Sequence, residues 1–331
     1  MIDLAAERDG GQAMLASDEL FAEKENLLKP GRGIFIPDRY TNRGKWMDGW
    51  ESRRKRTPGH DWCIIKLGLP GIIKSVDIDT NHFLGNHPPF ASIDAACIDD
   101  STSVETLANN NAAWTEVLPN STLNPGSQNI FQIASDKRWT HIRLNIYPDG
   151  GVARLRVYGE VLPDWSKHGP DEQIDLAAVQ NGGVVVATSD MFFGSGQNLI
   201  MPGRAANMGD GWETKRRRGP GYDWAIIALG RPGTIKRIEV DTNHFKGNYP
   251  DQCSIEGCSS TSGSTVETLS SPSTQWKEML PKTKLQADTR HFFENELKDV
   301  GPCTHVRLNI FPDGGVSRLR VWGVVRSKVE G

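Results

Sequence analysis

The chain writes itself twice, and that repetition limits its fold more than any other feature. The stretch DLAAERDGGQAMLASDELFAEKENLLKPGR from Asp3 returns as DLAAVQNGGVVVATSDMFFGSGQNLIMPGR from Asp175. GWESRRKRTPGHDWCIIKLGLPG returns as GWETKRRRGPGYDWAIIALGRPG, and HIRLNIYPDGGVARLRVYG as HVRLNIFPDGGVSRLRVWG. The offset is 175 − 3 = 172 at the start and 212 − 50 = 162 at Trp50 and Trp212, so the first copy carries a loop insertion around GIFIPDRYTNRGKW. At 331 residues each copy is long enough to hold a core of its own. The expected domains are residues 1–160 and 175–331. The proline-bearing, charged VLPDWSKHGPDEQI, residues 161–174, is the linker.

Secondary structure reads as strand. DWCIIKLG, IIKSVDID, THIRLNIY and VARLRVYG are short, rich in β-branched residues and bounded by turn formers. In HIRLNIY, Ile142, Leu144 and Ile146 alternate with Arg143, Asn145 and Tyr147, which turns one face to a core and the other to solvent or a cleft. LPG and PDGG read as turns between strands, and SDELFAEKENLL as a short helix. An all-β chain of two tandem β-sandwich domains follows, with the jelly roll as the favoured topology. Trp50, Trp62, Trp212 and Trp224 stand at strand starts and are expected in the core.

Charge and cysteine usage exclude several classes of function. Lysine and arginine number 38 against 41 acidic residues, a formal charge of −3, which argues against nucleic acid or an anionic membrane as a partner. An anion would be held locally. The five cysteines are odd in number and form no CxxC pair, so the expectation is reduced thiols in the cytoplasm, without a disulfide framework or zinc knuckle. No apolar run reaches membrane length, and MIDLAAERDGGQ lacks the basic and apolar regions of a signal peptide. HExxH, GxSxG and a nucleotide-binding glycine fingerprint are all missing.

Three polar segments stand out. DTNHFLGNHP at Asp79 and DTNHFKGNYP at Asp241 share eight of ten letters, including His82 and His244. Imidazole suits proton transfer near neutral pH, although an Asx-rich turn capping its own backbone accounts for such a segment equally well. Four consecutive cations, Arg53 to Arg56 and Lys215 to Arg218, follow a tryptophan and precede Asp61 and Asp223. Such a run is commonly a solvated face, but guanidinium forks also match a carboxylate. PDGG at Pro148 and Pro312 is a turn whose aspartates, Asp149 and Asp313, are available to a site.

GDGWETKRRRGPGYDWAIIALGRPG, IEVDTNHFKGNYP and HVRLNIFPDGGVSRLRVWG, in fixed order and with their first-copy partners, resemble the allantoicase family over nearly the whole chain. The resemblance implies two jelly-roll domains like those of galactose-binding modules, and a hydrolase that converts allantoate to ureidoglycolate and urea. Allantoate carries a carboxylate and two ureido groups on one carbon. Its chemistry therefore assigns Arg216, Arg218 or Arg307 to the carboxylate and His244 to acid/base work. Asp223, Asn243 and Asn248 are assigned as orienting or ureido-binding groups, with His82 as the first-copy equivalent of His244. Lys246 and Arg231 replace Leu84 and Leu69, which favours the second copy as the fuller site. No cofactor is expected, with a divalent metal left open, as is assembly into a homo-oligomer. The rival reading is a tandem jelly-roll protein that binds carbohydrate or another ligand without catalysis.

Overall fold

The computed structural model describes residues 1–99, 102–109, 114–260, 265–271 and 273–325, so the last six residues of the expected second domain lie outside it. The chain divides into two compact units, Met1–Pro163 and Asp164–Gly331. In the first the principal strands are β1 (Ile2–Asp3), β2 (Gln12–Ala16), β3 (Asp61–Asp79), β4 (Phe90–Ala96), β5 (Thr115–Thr122), β6 (Ile130–Gln132), β7 (Trp139–Tyr147) and β8 (Arg154–Val161). In the second they are β9 (Gln173–Asp175), β10 (Val184–Thr188), β11 (Asp223–Asp241), β12 (Gln252–Cys258), β13 (Lys277–Lys284), β14 (Arg290–Phe293), β15 (Cys303–Phe311) and β16 (Arg318–Val325). All pairings between them are antiparallel.

One long strand organises each unit. β11 pairs through Asp223–Ala228 with β15 and β10, then through Gly233–Asp241 with β16 and β14. A single strand thus supplies one half to each layer of a sandwich, and β3 does the same in the first unit. The LPG expected to be a turn is instead part of continuous β3. Register shifts on both neighbouring ladders let the strand bend there without ending. SDELFAEKENLL folds only at Lys24–Leu28, into a 3-10 turn.

The bend brings two distant segments together. Because β11 folds back, its two ends, Asp223 and Asp241, come to the same end of the sandwich, where the turn from Phe311 to Val316 joins β15 to β16. The DTNHF segment and the basic loop, far apart in the chain, therefore share one loop end. Arg231 sits on the bend at the opposite end, over the Trp165 ring at 4.9 Å, and not beside the motif.

The expected inner face of β7 is borne out: Ile142, Leu144 and Ile146 are fully buried, as are Val306, Leu308 and Ile310 of β15. Trp50 and Trp212 are core residues too, each tied through Nε1 to a backbone carbonyl, of Asp18 and Asp190 respectively. The other face is also covered. Asn145 and Asn309 are 3 % exposed, held by Ser92 and Asp94 in one unit and by Ser254 and Glu256 in the other.

Candidate active site at the loop end

The DTNHF segment in the second unit ties several loops together. Asp241, 1 % exposed, accepts the Asn243 backbone N–H at 2.9 Å. The same carboxylate grips Arg204, with Nε at 3.2 Å and Nη2 at 3.4 Å. Thr242 Oγ1 lies 2.6 Å from Gln286 O and accepts from Thr289 N at 3.0 Å. Phe245 is fully buried against Gly211 and Gly315, where a side chain would collide with its ring. Burying a phenylalanine stabilises by roughly 1.5–3 kcal/mol, enough to pin the residue before it. That residue, His244, is in the left-handed region with φ 69°.

His244 is fixed at both backbone and ring. Its N–H donates to Asp288 Oδ1 at 2.7 Å, and Nε2 lies 2.9 Å from Ala205 O. A carbonyl only accepts, so the neutral ring carries its proton on Nε2 and leaves the Nδ1 lone pair open. Ala205 O also accepts from Asn243 Nδ2 at 3.2 Å. In the first unit His82 has the same backbone, φ 67°, but is exposed, and its ring makes no hydrogen bond among the described residues. It lies instead 5.6 Å from the Phe35 ring of the inserted loop.

The basic loop divides its cations. Arg217 turns inward: its backbone N–H donates to Asp313 and its guanidinium meets Asp223, which also accepts from Ser189 Oγ. Lys215 pairs with Asp190 at 3.6 Å. Arg216 and Arg218 are exposed, without a carboxylate partner among the described residues, and border a cavity of about 390 Å³ floored by Ser189 and Asp223. Asn248 Nδ2 donates to Glu213, tying the DTNHF loop to the strand just before the basic run. Lys246 is exposed and unpaired among the described residues.

Arg307 is not brought into this group. It lies mid-strand on the outer face of β15, paired with Glu256 at 2.6 Å and over the Trp276 ring at 4.7 Å. Arg143 repeats this in the first unit with Asp94 and Trp114. Among the described residues no group of three or more His, Cys, Asp or Glu is arranged to hold a metal ion.

The allantoicase-repeat family model matches residues 2–162 and 174–326. The chain belongs to the allantoicase family. It is 53 % identical over 324 residues to the probable allantoicase 1 of Burkholderia mallei, covering 98 % of this chain and 94 % of that protein. With the allantoicase of Dictyostelium discoideum it shares 51 % over 320 residues, 96 % of this chain and 86 % of the relative. The crystal structure of allantoicase from Saccharomyces cerevisiae superposes with a TM-score of 0.79 at 40 % identity, over 97 % of this chain and 92 % of that one.

Within this allantoicase-family loop end, the residues that sequence reasoning missed are Arg204 and Arg32. Arg32 holds Asp79 with both contacts at 2.9 Å, as Arg204 holds Asp241. The signal was present as PGR, repeated at the same offset as the opening segments.

Proposed function

We propose that the chain hydrolyses allantoate to ureidoglycolate and urea, with the loop end of its second unit as the reacting site. The observation that carries this is the full-length membership of the allantoicase family, joined to a histidine whose ring is held by the Ala205 carbonyl at the loop end that also carries the basic run. Hydrolysis breaks the bond from the central carbon to one ureido nitrogen. That nitrogen gains a proton and leaves as urea, while water supplies the hydroxyl left on carbon and gives up a proton. Because Nε2–H is committed to Ala205 O, Nδ1 of His244 is the atom that takes the proton from water and returns it to the leaving nitrogen.

Arg216, Arg218 and Lys246 raise the local concentration of the anion. Asn243 and Asn248 each commit one side-chain N–H, to Ala205 O and to Glu213, which turns their carbonyl oxygens to accept ureido N–H groups. In this reading Asp223 orients the basic loop, Arg307 stays with Glu256, and His82 contributes less than His244. The enzyme acts on a small molecule, and we place it in the cytoplasm, where its five unpaired thiols stay reduced. The test is incubation of the purified chain with allantoate. Urea and ureidoglycolate should appear in equal amounts, and absence of urea would overturn the reading.

A further inference from the structure

We infer that Arg204 is the residue that docks the substrate carboxylate beside His244, with Asp241 as the group that aims it. The inference rests on the reading of the second unit as an allantoate-hydrolysing site.

The argument begins with how the guanidinium is divided. A guanidinium carries five N–H groups, and Asp241 takes one from Nε and one from Nη2. The edge formed by Nη1 and the second Nη2 hydrogen faces away from Asp241 and has no partner among the described residues. Asp241 is almost wholly buried, whereas the Arg204 side chain is 53 % exposed. The carboxylate is thus a fixed base and the guanidinium its presented end. A flexible arginine must lose rotamer freedom when it binds, and this one is already held in plane, so its outward fork is preorganised for a second carboxylate.

Its position is equally specific. The residue after Arg204 is Ala205, whose carbonyl receives both His244 Nε2 and Asn243 Nδ2. One short stretch of backbone therefore sets the anion-binding fork, the imidazole and the amide relative to one another. In allantoate the carboxylate and the scissile carbon are directly bonded, so a group that fixes the first also fixes the distance of the second from the proton-transfer atom. Among the described residues Arg216 and Arg218 have no such tether, and they act through charge at longer range. The matching pair in the first unit, Arg32 with Asp79, lacks a ring-tethered histidine and serves as a structural control.

The experiment compares allantoate with its neutral primary carboxamide as substrates for the unaltered chain, Arg204→Gln and Arg32→Gln. Arg204→Gln is expected to lower kcat/KM for allantoate about 10- to 100-fold, mostly through KM, as fits a lost charge-assisted contact. The carboxamide should be turned over as before, so the preference for the acid disappears. Arg32→Gln should affect both substrates alike. If Arg204→Gln does not fold, Arg204→Gln with Asp241→Asn removes both charges together and is read the same way. Equal losses on acid and amide would make Arg204 a staple of the loop and overturn the inference alone. No urea from the unaltered chain would overturn the functional reading and this inference with it.

Discussion

Arg217 Nη2 lies 2.5 Å from Asp223 Oδ1, and the same oxygen accepts from Ser189 Oγ at 2.8 Å. One of four consecutive cations is therefore drawn into the sandwich end, which leaves Arg216 and Arg218 pointing elsewhere. Lys55 and Asp61 make the corresponding contact at 2.7 Å in the first unit. Asp223→Asn should cost about 2–3 kcal/mol in urea denaturation, less than the ~3–5 kcal/mol for a fully buried pair because the Arg217 side chain is 32 % exposed. Its kcat should fall modestly. Unchanged stability with a collapse in kcat would instead make Asp223 a reacting acid or base.

Asp77 gives a prediction that depends on pH. It is 2 % exposed, accepts from Gln128 Nε2 at 2.7 Å, and its Oδ1 has no hydrogen-bond partner among the described residues. Burial pushes its carboxyl above the ordinary value, and the nearby Asp79 charge adds to the rise while Gln128 opposes it. At the same place the second unit has Glu239, held by Arg290 at 2.6 and 3.0 Å. A carboxyl whose folded pKa is raised costs nothing when protonated in both states. The cost appears as pH rises above the unfolded value of about 3.9 and is complete above the folded one. Asp77→Asn should therefore be more stable than the unaltered chain at neutral pH and converge with it below about pH 4. A less stable variant at neutral pH would mean that the ionised form is favoured by partners after all.

The seat of Phe245 tests whether the DTNHF loop needs its anchor. A Cβ at Gly315 would stand 1.9 Å from the Phe245 ring, whereas one at Gly247 would meet nothing within 4 Å. Gly315→Ala should destabilise by about 1–3 kcal/mol or more and depress turnover, since His244 is the adjacent residue. Gly247→Ala, two residues along the same loop, should be near neutral in both assays. The reverse order would show that the ring is not what positions the loop.

Much of this was legible in the letters. The repeat, the strand-rich composition and the alternation in HIRLNIY follow from local pattern; Ile142, Leu144, Ile146, Trp50 and Trp212 are buried as expected, whereas Trp62 and Trp224, also expected in the core, are only half-buried. The continuity of β3 and β11 was not legible, because a proline-glycine pair reads as a turn whether the chain stops there or bends from one layer into the other. Nor was the burial of Asn145 and Asn309: alternation tells which face a side chain takes, not what later covers it. Arg204 escaped notice because its partner lies 37 residues away, on the far end of a strand that folds back. The difference between His82 and His244 depends on a backbone carbonyl and on Phe35 of the inserted loop, and no residue letter records the first of these.

The polar segment is written twice because an ancestral unit carried it, and most of its letters keep loops together: aspartate for a guanidinium, threonine for a turn, phenylalanine for the core. In the proposed mechanism the ring of the second histidine is the part left for chemistry. The most direct measurement is therefore kcat for urea release by His244→Asn beside His82→Asn, with thermal unfolding recorded for both. His244→Asn should lose about 10²- to 10⁴-fold in kcat with little change in unfolding temperature, and His82→Asn should lose less. Full activity in both variants, or a larger loss at His82, would contradict the account.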